Sequence, residues 1–498
     1  MSPRPRSAVA IWRARSTTTT GDRLYLGYLL VAVAGVVVAP LARALWQGLT
    51  GTEGIAALTA STAPASAGLI VAAVWAAALL LGRERGPALL PPFLLHALAT
   101  SDLPYRVVFR GPLLRCGALV VAICTGAAGL TGASLAHRGF ASAEQAVVFT
   151  IVGALVGVVA TAAWLAGQTH PRVALPVAIG IVALASGGLQ SPTLQASTPW
   201  GWVGLAYPLG AAPPPLGALV GLVALALVAV AVVPALLSRL RPAETAVQAA
   251  RWQAATTSAL GTEFGAAATV YQAAPHVGRR VRAVRPGHGL GVAFFVRDAI
   301  GAARTPGRLV VGLIALGVGG LLLGYAVVSP GPGWLLGAAA GLIVFAATGP
   351  LTDGIRHAAA VAADVPLYGI GDGRLLVSHS MLPLAVVVLV LVSAAVVVSL
   401  SAANGAPILS AMALGVTTLL LRIGQALKGP LPPVLLTPIS SPMGDPMAAV
   451  RVLWALDGLL FAAVIGAAAT VGLDAPLALL AAAGLVAGVV AQRWRHRA

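Results

Sequence analysis

The chain has 498 residues, of which 58% are hydrophobic and only 9% are charged, and its mean hydropathy is +0.93. Water-soluble domains cannot bury this much apolar surface, so the composition excludes an ordinary soluble protein and predicts a membrane protein. The net charge of +17 is spread among short loops and not gathered on one solvated face, which argues against a nucleic-acid partner.

Long apolar runs predict the membrane spans. The first six lie near residues 25–45, 66–81, 113–135, 146–167, 173–190 and 216–237, and the next six near 309–329, 333–349, 376–401, 406–421, 449–472 and 475–491. Some of them, notably 406–421, are shorter than the roughly 20 residues that cross a bilayer untilted, so half-helices or re-entrant segments are an alternative there. Small-xxx-small pairs such as Gly337/Gly341 and Gly484/Gly488 suit close helix packing.

The expected fold class is all-α, a polytopic helical membrane protein with about 12 transmembrane helices in two six-helix repeats. The repeats would be domains 1–237 and 309–498, joined by a cytoplasmic or interfacial linker at 238–308. In that linker Trp252, Leu260, Phe264 and Tyr271 share one face of a helical wheel. The pattern favours a helix lying on the inner leaflet.

The arginines indicate orientation, because positive residues collect on the cytoplasmic side of a membrane. With the N-terminus inside, nearly all of them fall in predicted inner segments, and only Arg43 and Arg138 lie at or beyond the outer boundary. We therefore expect a multi-pass protein of the cell (plasma) membrane with both termini cytoplasmic. Lys428 is the single lysine, a bias typical of a GC-rich bacterial genome.

Three predicted inner loops begin with Gly-Pro and end with an Asp close to a Pro. They read GPALLPPFLLHALATSDLP at 86–104, GPLTDGIRHAAAVAADVP at 349–366 and GPLPPVLLTPISSPMGDP at 429–446. Their recurrence at equivalent positions indicates an internal duplication. Duplicated halves often enclose a transport pathway, although a larger membrane scaffold is the alternative.

Several kinds of chemistry are missing from the sequence. No Gly-x-x-x-x-Gly-Lys-Ser/Thr loop occurs, so the chain is not expected to hydrolyse ATP. No cysteine cluster and no histidine pair at metal-binding spacing occurs either. We therefore predict no catalytic, cofactor-binding or metal-binding residue, and no enzyme. Asp457, in the eleventh span, is the intramembrane candidate, but it could simply lie near the inner interface with Arg451.

The layout resembles that of ABC-2-type exporter permeases. In that family an interfacial elbow helix precedes the first span, and a coupling helix in the loop after the second span docks on a separate ATPase. The elbow candidates here are 8–15 and 291–300, and the coupling-loop candidates are 86–112 and 349–374. The stretch 190–215 resembles the family's outer excursion before the sixth span, whereas the second half has only 471–476 there.

The resemblance implies an export permease that moves a hydrophobic or amphiphilic substrate and is powered by a separate ABC ATP-binding subunit. The residues that would meet this partner are the charged and histidine side chains of the inner Gly-Pro loops. They are His96, Asp102, Arg106, Arg110, His357, Asp364, Arg374 and Asp445.

Two other functions stay open. The first is an ion-coupled secondary transporter that uses Asp457. The second is a membrane enzyme acting on lipid or glycan, which the scattered loop acids argue against. Beyond the lipid bilayer and the ATPase, a homo-oligomer is a further open alternative.

Overall fold

The computed structural model describes residues 3–14, 39–99, 103–188, 191–210, 213–261, 264–272, 289–328, 333–362, 369–429, 431–437, 446–471 and 476–496, with a few single positions between them. All regular secondary structure in these ranges is helical, which confirms the all-α fold class. The chain divides into two compact units, Met1–Thr257 and Ser258–Ala498. The boundary between them falls inside the predicted linker.

Unit 1 contains thirteen helices in its described residues. They are α1 Pro3–Ala14, α2 Ala39–Thr50, α3 Thr52–Thr59, α4 Ala63–Glu84, α5 Pro92–Ala99, α6 Tyr105–Val108, α7 Arg110–His137, α8 Ala143–Thr169, α9 Pro171–Gly188, α10 Pro192–Ser197, α11 Pro199–Leu205, α12 Leu216–Ser238 and α13 Pro242–Leu260. The two short helices α10 and α11 occupy the predicted excursion before α12.

Helix α8 is the centre of unit 1 and packs against α4, α7 and α12. Its first turn is closed by a capping box, in which Ser142 and Gln145 each bond the other's backbone. Farther along, Val152 and Val156 are buried against α4, and the indole nitrogen of Trp75 donates to the Val156 carbonyl at 3.2 Å. The apolar length of α8 therefore folds into a helix that neighbouring helices surround.

Unit 2 contains ten helices in its described residues. They are α14 Phe264–Thr269, α15 Leu290–Ala303, α16 Pro306–Val328, α17 Gly333–Ala347, α18 Asp353–Ala360, α19 Asp372–Ala402, α20 Ala406–Ala426, α21 Pro433–Leu436, α22 Pro446–Val471 and α23 Pro476–Arg495, with a 3-10 turn at Gly349–Leu351. The core lies among α16, α17, α19, α20, α22 and α23.

Glycines let α17 and α22 approach each other closely. A Cβ atom built on Gly341 would lie 2.1 Å from the carbonyl oxygen of Ala462, and one on Gly466 would lie 2.1 Å from that of Gly337. Only glycine fits at such distances, so the predicted packing role of Gly337/Gly341 is confirmed. The same expectation was wrong for the pair at 484 and 488, where a Cβ would meet no atom of the described residues within 4 Å.

Eleven helices of the described chain are long and apolar enough to cross a membrane: α4, α7, α8, α9, α12, α16, α17 extended through the 3-10 turn, α19, α20, α22 and α23. They coincide with eleven of the predicted spans. The short run 406–421 belongs to the continuous 21-residue helix α20, which is long enough to cross a bilayer. Ten of the 21 residues of the predicted first span, 25–45, lie outside the described residues, so the count of twelve and the repeat stay predictions.

Candidate functional site

The first Gly-Pro loop folds into α5 and α6 before α7 begins. Leu94, Leu95 and Leu98 form the buried side of α5, because an eight-residue helix with leucines at this spacing has one apolar face. The candidate residues point elsewhere: His96 is exposed on α5, and Arg106 and Arg110 are exposed on α6 and at the start of α7. Asp102 lies outside the described residues.

Two buried glutamines hold the start of this loop. The Gln168 side chain, near the end of α8, donates to the Ala88 carbonyl and accepts from the Ala88 amide, both at 3.2 Å. It also donates to the Gln248 oxygen of α13 at 3.1 Å, and that oxygen accepts from the Gly86 amide at 3.3 Å. Buried backbone groups need such partners, so these contacts fix the loop to α8 and α13.

Aromatic residues complete this attachment. The Trp164 indole nitrogen donates to the Arg85 carbonyl at 2.6 Å, and the Arg85 guanidinium lies 3.3 Å from the centre of the Trp252 ring. On the N-terminal side, the rings of Trp12 in α1 and Phe93 in α5 are stacked, 6.2 Å apart and inclined by 17°. The helix that begins unit 1 therefore contacts the short helix of the loop.

The second Gly-Pro loop, in unit 2, folds into the 3-10 turn and α18. Ile355 and Ala358 of α18 are buried, whereas His357 is exposed. Asp353 begins the helix and pairs with Arg356 and with the Arg308 guanidinium, whose Nη1 lies 2.6 Å from the carboxylate. Asp364, farther along this loop, lies outside the described residues.

Arg422 of α20 holds the start of the second loop. Its Nε donates to the Thr348 hydroxyl at 2.9 Å, and its Nη2 donates to the Phe345 carbonyl. The guanidinium also lies 3.7 Å from the centre of the Phe345 ring, a cation–π contact. The loop is thus fixed to the end of α20, as the first loop is fixed to the end of α8.

A buried Asp–His pair lies beneath α18. Asp298 of α15 and His379 of α19 are joined at 2.6 Å through Nδ1, and their side chains are 8% and 0% exposed. The other ring nitrogen of His379 lies 3.3 Å from the Arg297 guanidinium, and Phe294 packs edge-on against the imidazole at 4.7 Å. A Cβ on Gly354 would lie 2.4 Å from His379 Nδ1, so α18 rests directly on the pair.

Asp457, the predicted intramembrane candidate, lies in a second polar cluster. Its carboxylate is 2.7 Å from Lys428 Nζ and 2.5 Å from Arg493 Nη2, and it accepts from the Gln425 amide at 3.0 Å. Burial lowers the pKa of the Lys428 ammonium, while its hydrogen bond to Asp457 acts in the opposite direction. The cluster joins the ends of α20 and α23 to α22. Arg451, the predicted neighbour, bonds the Leu435 carbonyl instead.

No protein-family model, curated protein or solved structure matches this chain. Within the described ranges, no group of three His, Cys, Asp or Glu side chains could hold a metal ion.

The remaining sequence candidates are Arg374 and Asp445. Arg374 is exposed in the first turn of α19, and Asp445 of the third loop lies outside the described residues. The structure describes five of the eight loop candidates. It places His96, Arg106 and Arg110 along one loop, and His357 and Arg374 on two helices that pack together.

The linker pattern differs from the expectation. Trp252, Leu260, Phe264 and Tyr271 do not share one helix face, because α13 ends at Leu260 and α14 begins at Phe264. Leu260 is 81% exposed. The Trp252 ring packs against the guanidinium of Arg85, the residue before the first Gly-Pro loop.

Sequence reasoning missed the Asp298–His379 pair. Asp298 is the one acid in the 14 residues of α15, and His379 lies between Ser378 and Ser380 in the long, largely apolar helix α19. An ionisable residue within an apolar helix was the available signal, the same one that singled out Asp457.

Proposed function

We propose that this polytopic membrane protein is the permease subunit of an ABC-type exporter. It would move a hydrophobic or amphiphilic substrate and would be powered by a separate ATP-binding subunit that docks on the Gly-Pro loops. In the predicted orientation these loops face the cytoplasm, where ATP is available.

One observation carries the proposal: each unit fixes its loop helix in the same two ways. The helix before the spans contacts the loop helix, through Trp12 and Phe93 in unit 1 and through α15 beneath Gly354 in unit 2. The start of each loop is also bonded to the end of a long helix, α8 or α20. A loop helix held by these contacts can transmit the movement of a bound partner to the spans. A loop without such contacts would move independently of the spans.

The exposed residues of these loops supply a surface for the partner. His96, Arg106, Arg110, His357 and Arg374 are all exposed. Positive charge there would steer and orient a partner that presents acidic groups.

Copurification tests the proposal. An affinity-tagged chain isolated from membranes of its native host is expected to carry an ATP-binding subunit and ATP hydrolysis. Arg106→Glu with Arg110→Glu should weaken that association at least tenfold, because each reversal replaces attraction with repulsion. Arg239→Glu with Arg251→Glu, also exposed but outside the loop helices, is the matched control. Transport by the purified chain without any ATPase would refute the proposal.

The buried ionisable residues favour a second candidate, an ion-coupled secondary transporter. Asp298 and His379 are removed from solvent in α15 and α19, and Asp457 lies within a predicted span. Buried groups of this kind form proton and ion relays in transporters. The chain reconstituted alone would then accumulate a lipophilic fluorescent dye under an imposed pH gradient, and Asp457→Asn or Asp298→Asn would abolish the accumulation. Absence of gradient-driven accumulation would reject this candidate.

A further inference from the structure

Unit 2 contains a groove at the end where its Gly-Pro loops are found. It is an open groove of about 380 Å³ that lies between the start of α19 and the ends of α20 and α23. The walls are apolar, with Leu376, Leu420, Ile423 and Val490 among the lining side chains. Such a wall suits a hydrocarbon chain and offers little to a polar solute.

The mouth of the groove has a different character. Arg495, which is exposed, lines it next to Trp494. The Trp494 indole lies beside Gly373, where a Cβ would be 3.7 Å from the ring. Arg374 is exposed, follows the lining residue Gly373 and lies one turn before the lining residue Val377. One exposed arginine therefore lines the groove, and a second lies next to a lining residue in the sequence.

We propose that this groove binds one anionic phospholipid, with an acyl chain along the apolar wall and the phosphate between Arg374 and Arg495. Tryptophan and arginine are the side chains that occupy the level of the headgroups at a membrane surface. Basic pockets between transmembrane helices recognise anionic headgroups, and each arginine contributes about 1 kcal/mol to that attraction. This site requires neither a transported substrate nor a partner protein, but it shares Arg374 with the proposed docking surface.

Trp494 provides a local reporter for the test. The full chain in detergent is titrated with brominated phosphatidylglycerol, and the quenching due to Trp494 is obtained by subtracting that of the Trp494→Phe variant. Brominated phosphatidylcholine, which has no net charge, is titrated in parallel. We expect phosphatidylglycerol to bind at least tenfold more tightly than phosphatidylcholine.

Variants then separate the two parts of the site. Arg374→Gln and Arg495→Gln should each weaken phosphatidylglycerol binding about fivefold, and together about 25-fold, which corresponds to ~1 kcal/mol for each charge. Ala487→Phe should fill the groove and abolish binding of both lipids. Ala481→Phe, an exposed position on the same helix outside the groove, should leave binding unchanged.

Three results would overturn the proposal. Equal affinity for the two lipids would remove the role of the arginines. Unchanged phosphatidylglycerol binding in the double arginine variant would place the lipid elsewhere. Displacement of the lipid by glycerol phosphate alone at similar concentrations would show a site for free phosphate, not for a phospholipid.

Discussion

The carboxylate of Asp298 lies 2.6 Å from Nδ1 of His379, and this contact joins α15 to α19 beneath the loop helix α18. Both side chains are withdrawn from solvent. Taking such groups out of water is costly unless they bond each other, so each depends on its partner. The pair therefore holds α15, the helix that precedes the spans of unit 2, in position beneath α18.

Removing the carboxylate should destabilise unit 2. Asp298→Ala leaves His379 buried without its bond and beside Arg297, and we expect the free energy of unfolding to fall by about 3 kcal/mol. Asp298→Asn keeps an oxygen acceptor and should cost less. Thermal unfolding in detergent measures both. His357→Ala, at an exposed histidine of α18, should change stability by less than ~0.5 kcal/mol. A similar small effect for Asp298→Ala would contradict the role given to the pair.

Asp457 should matter more for stability than a surface acid. Asp457→Ala leaves Lys428 and Arg493 without their shared carboxylate, where they are 9% and 17% exposed, and should cost about 3 kcal/mol. Asp353→Ala also breaks an ion pair, but that carboxylate is half exposed and its loss should cost less than ~1 kcal/mol. Denaturant unfolding of the two variants compares them directly. Equal losses would show that the Asp457 cluster is only a surface ion pair.

The contact between α17 and α22 predicts a difference between two glycines. Gly341→Ala places a methyl group against the backbone of Ala462, which cannot move aside, and should cost about 2 kcal/mol. Gly484→Ala meets no atom within 4 Å in the described part of the chain and should be neutral or stabilise by up to ~1 kcal/mol. Melting temperatures of the two variants provide the comparison. A loss at both positions, or at neither, would show that close packing of α17 and α22 does not decide the outcome.

The glutamine pair should hold the first Gly-Pro loop as one unit. Gln248→Ala removes the acceptor for the Gly86 amide and the donor to the Gly82 and Arg83 carbonyls, and should cost about 2 kcal/mol. Adding Gln168→Ala should cost less than the sum of the single changes, because the two amides bond each other. Gln253→Ala, exposed on the same helix, is the control. Strict additivity would mean that the glutamines act independently.

Hydropathy predicted the positions of eleven helices because the signal for a span lies within one continuous stretch of the chain. Hydropathy did not predict the polar contacts that fix the loops. Gln168 and Gln248 are 80 residues apart, and Asp298 and His379 are 81 apart, so no local spacing connects them. Asp457 was recognisable as an acid in an apolar helix, but its partners are Lys428, in the turn after α20, and Arg493, in α23.

The most direct test of the export-permease account is site-specific photocrosslinking from the loop helices in native membranes. A crosslinking amino acid is placed at 106 or at 357, both exposed, and at 144, an exposed position at the opposite end of α8. We predict a covalent adduct with an ATP-binding subunit from 106 and from 357 but not from 144. Adducts from 144 alone, or no adduct with an ATP-binding protein from either loop position, would contradict it.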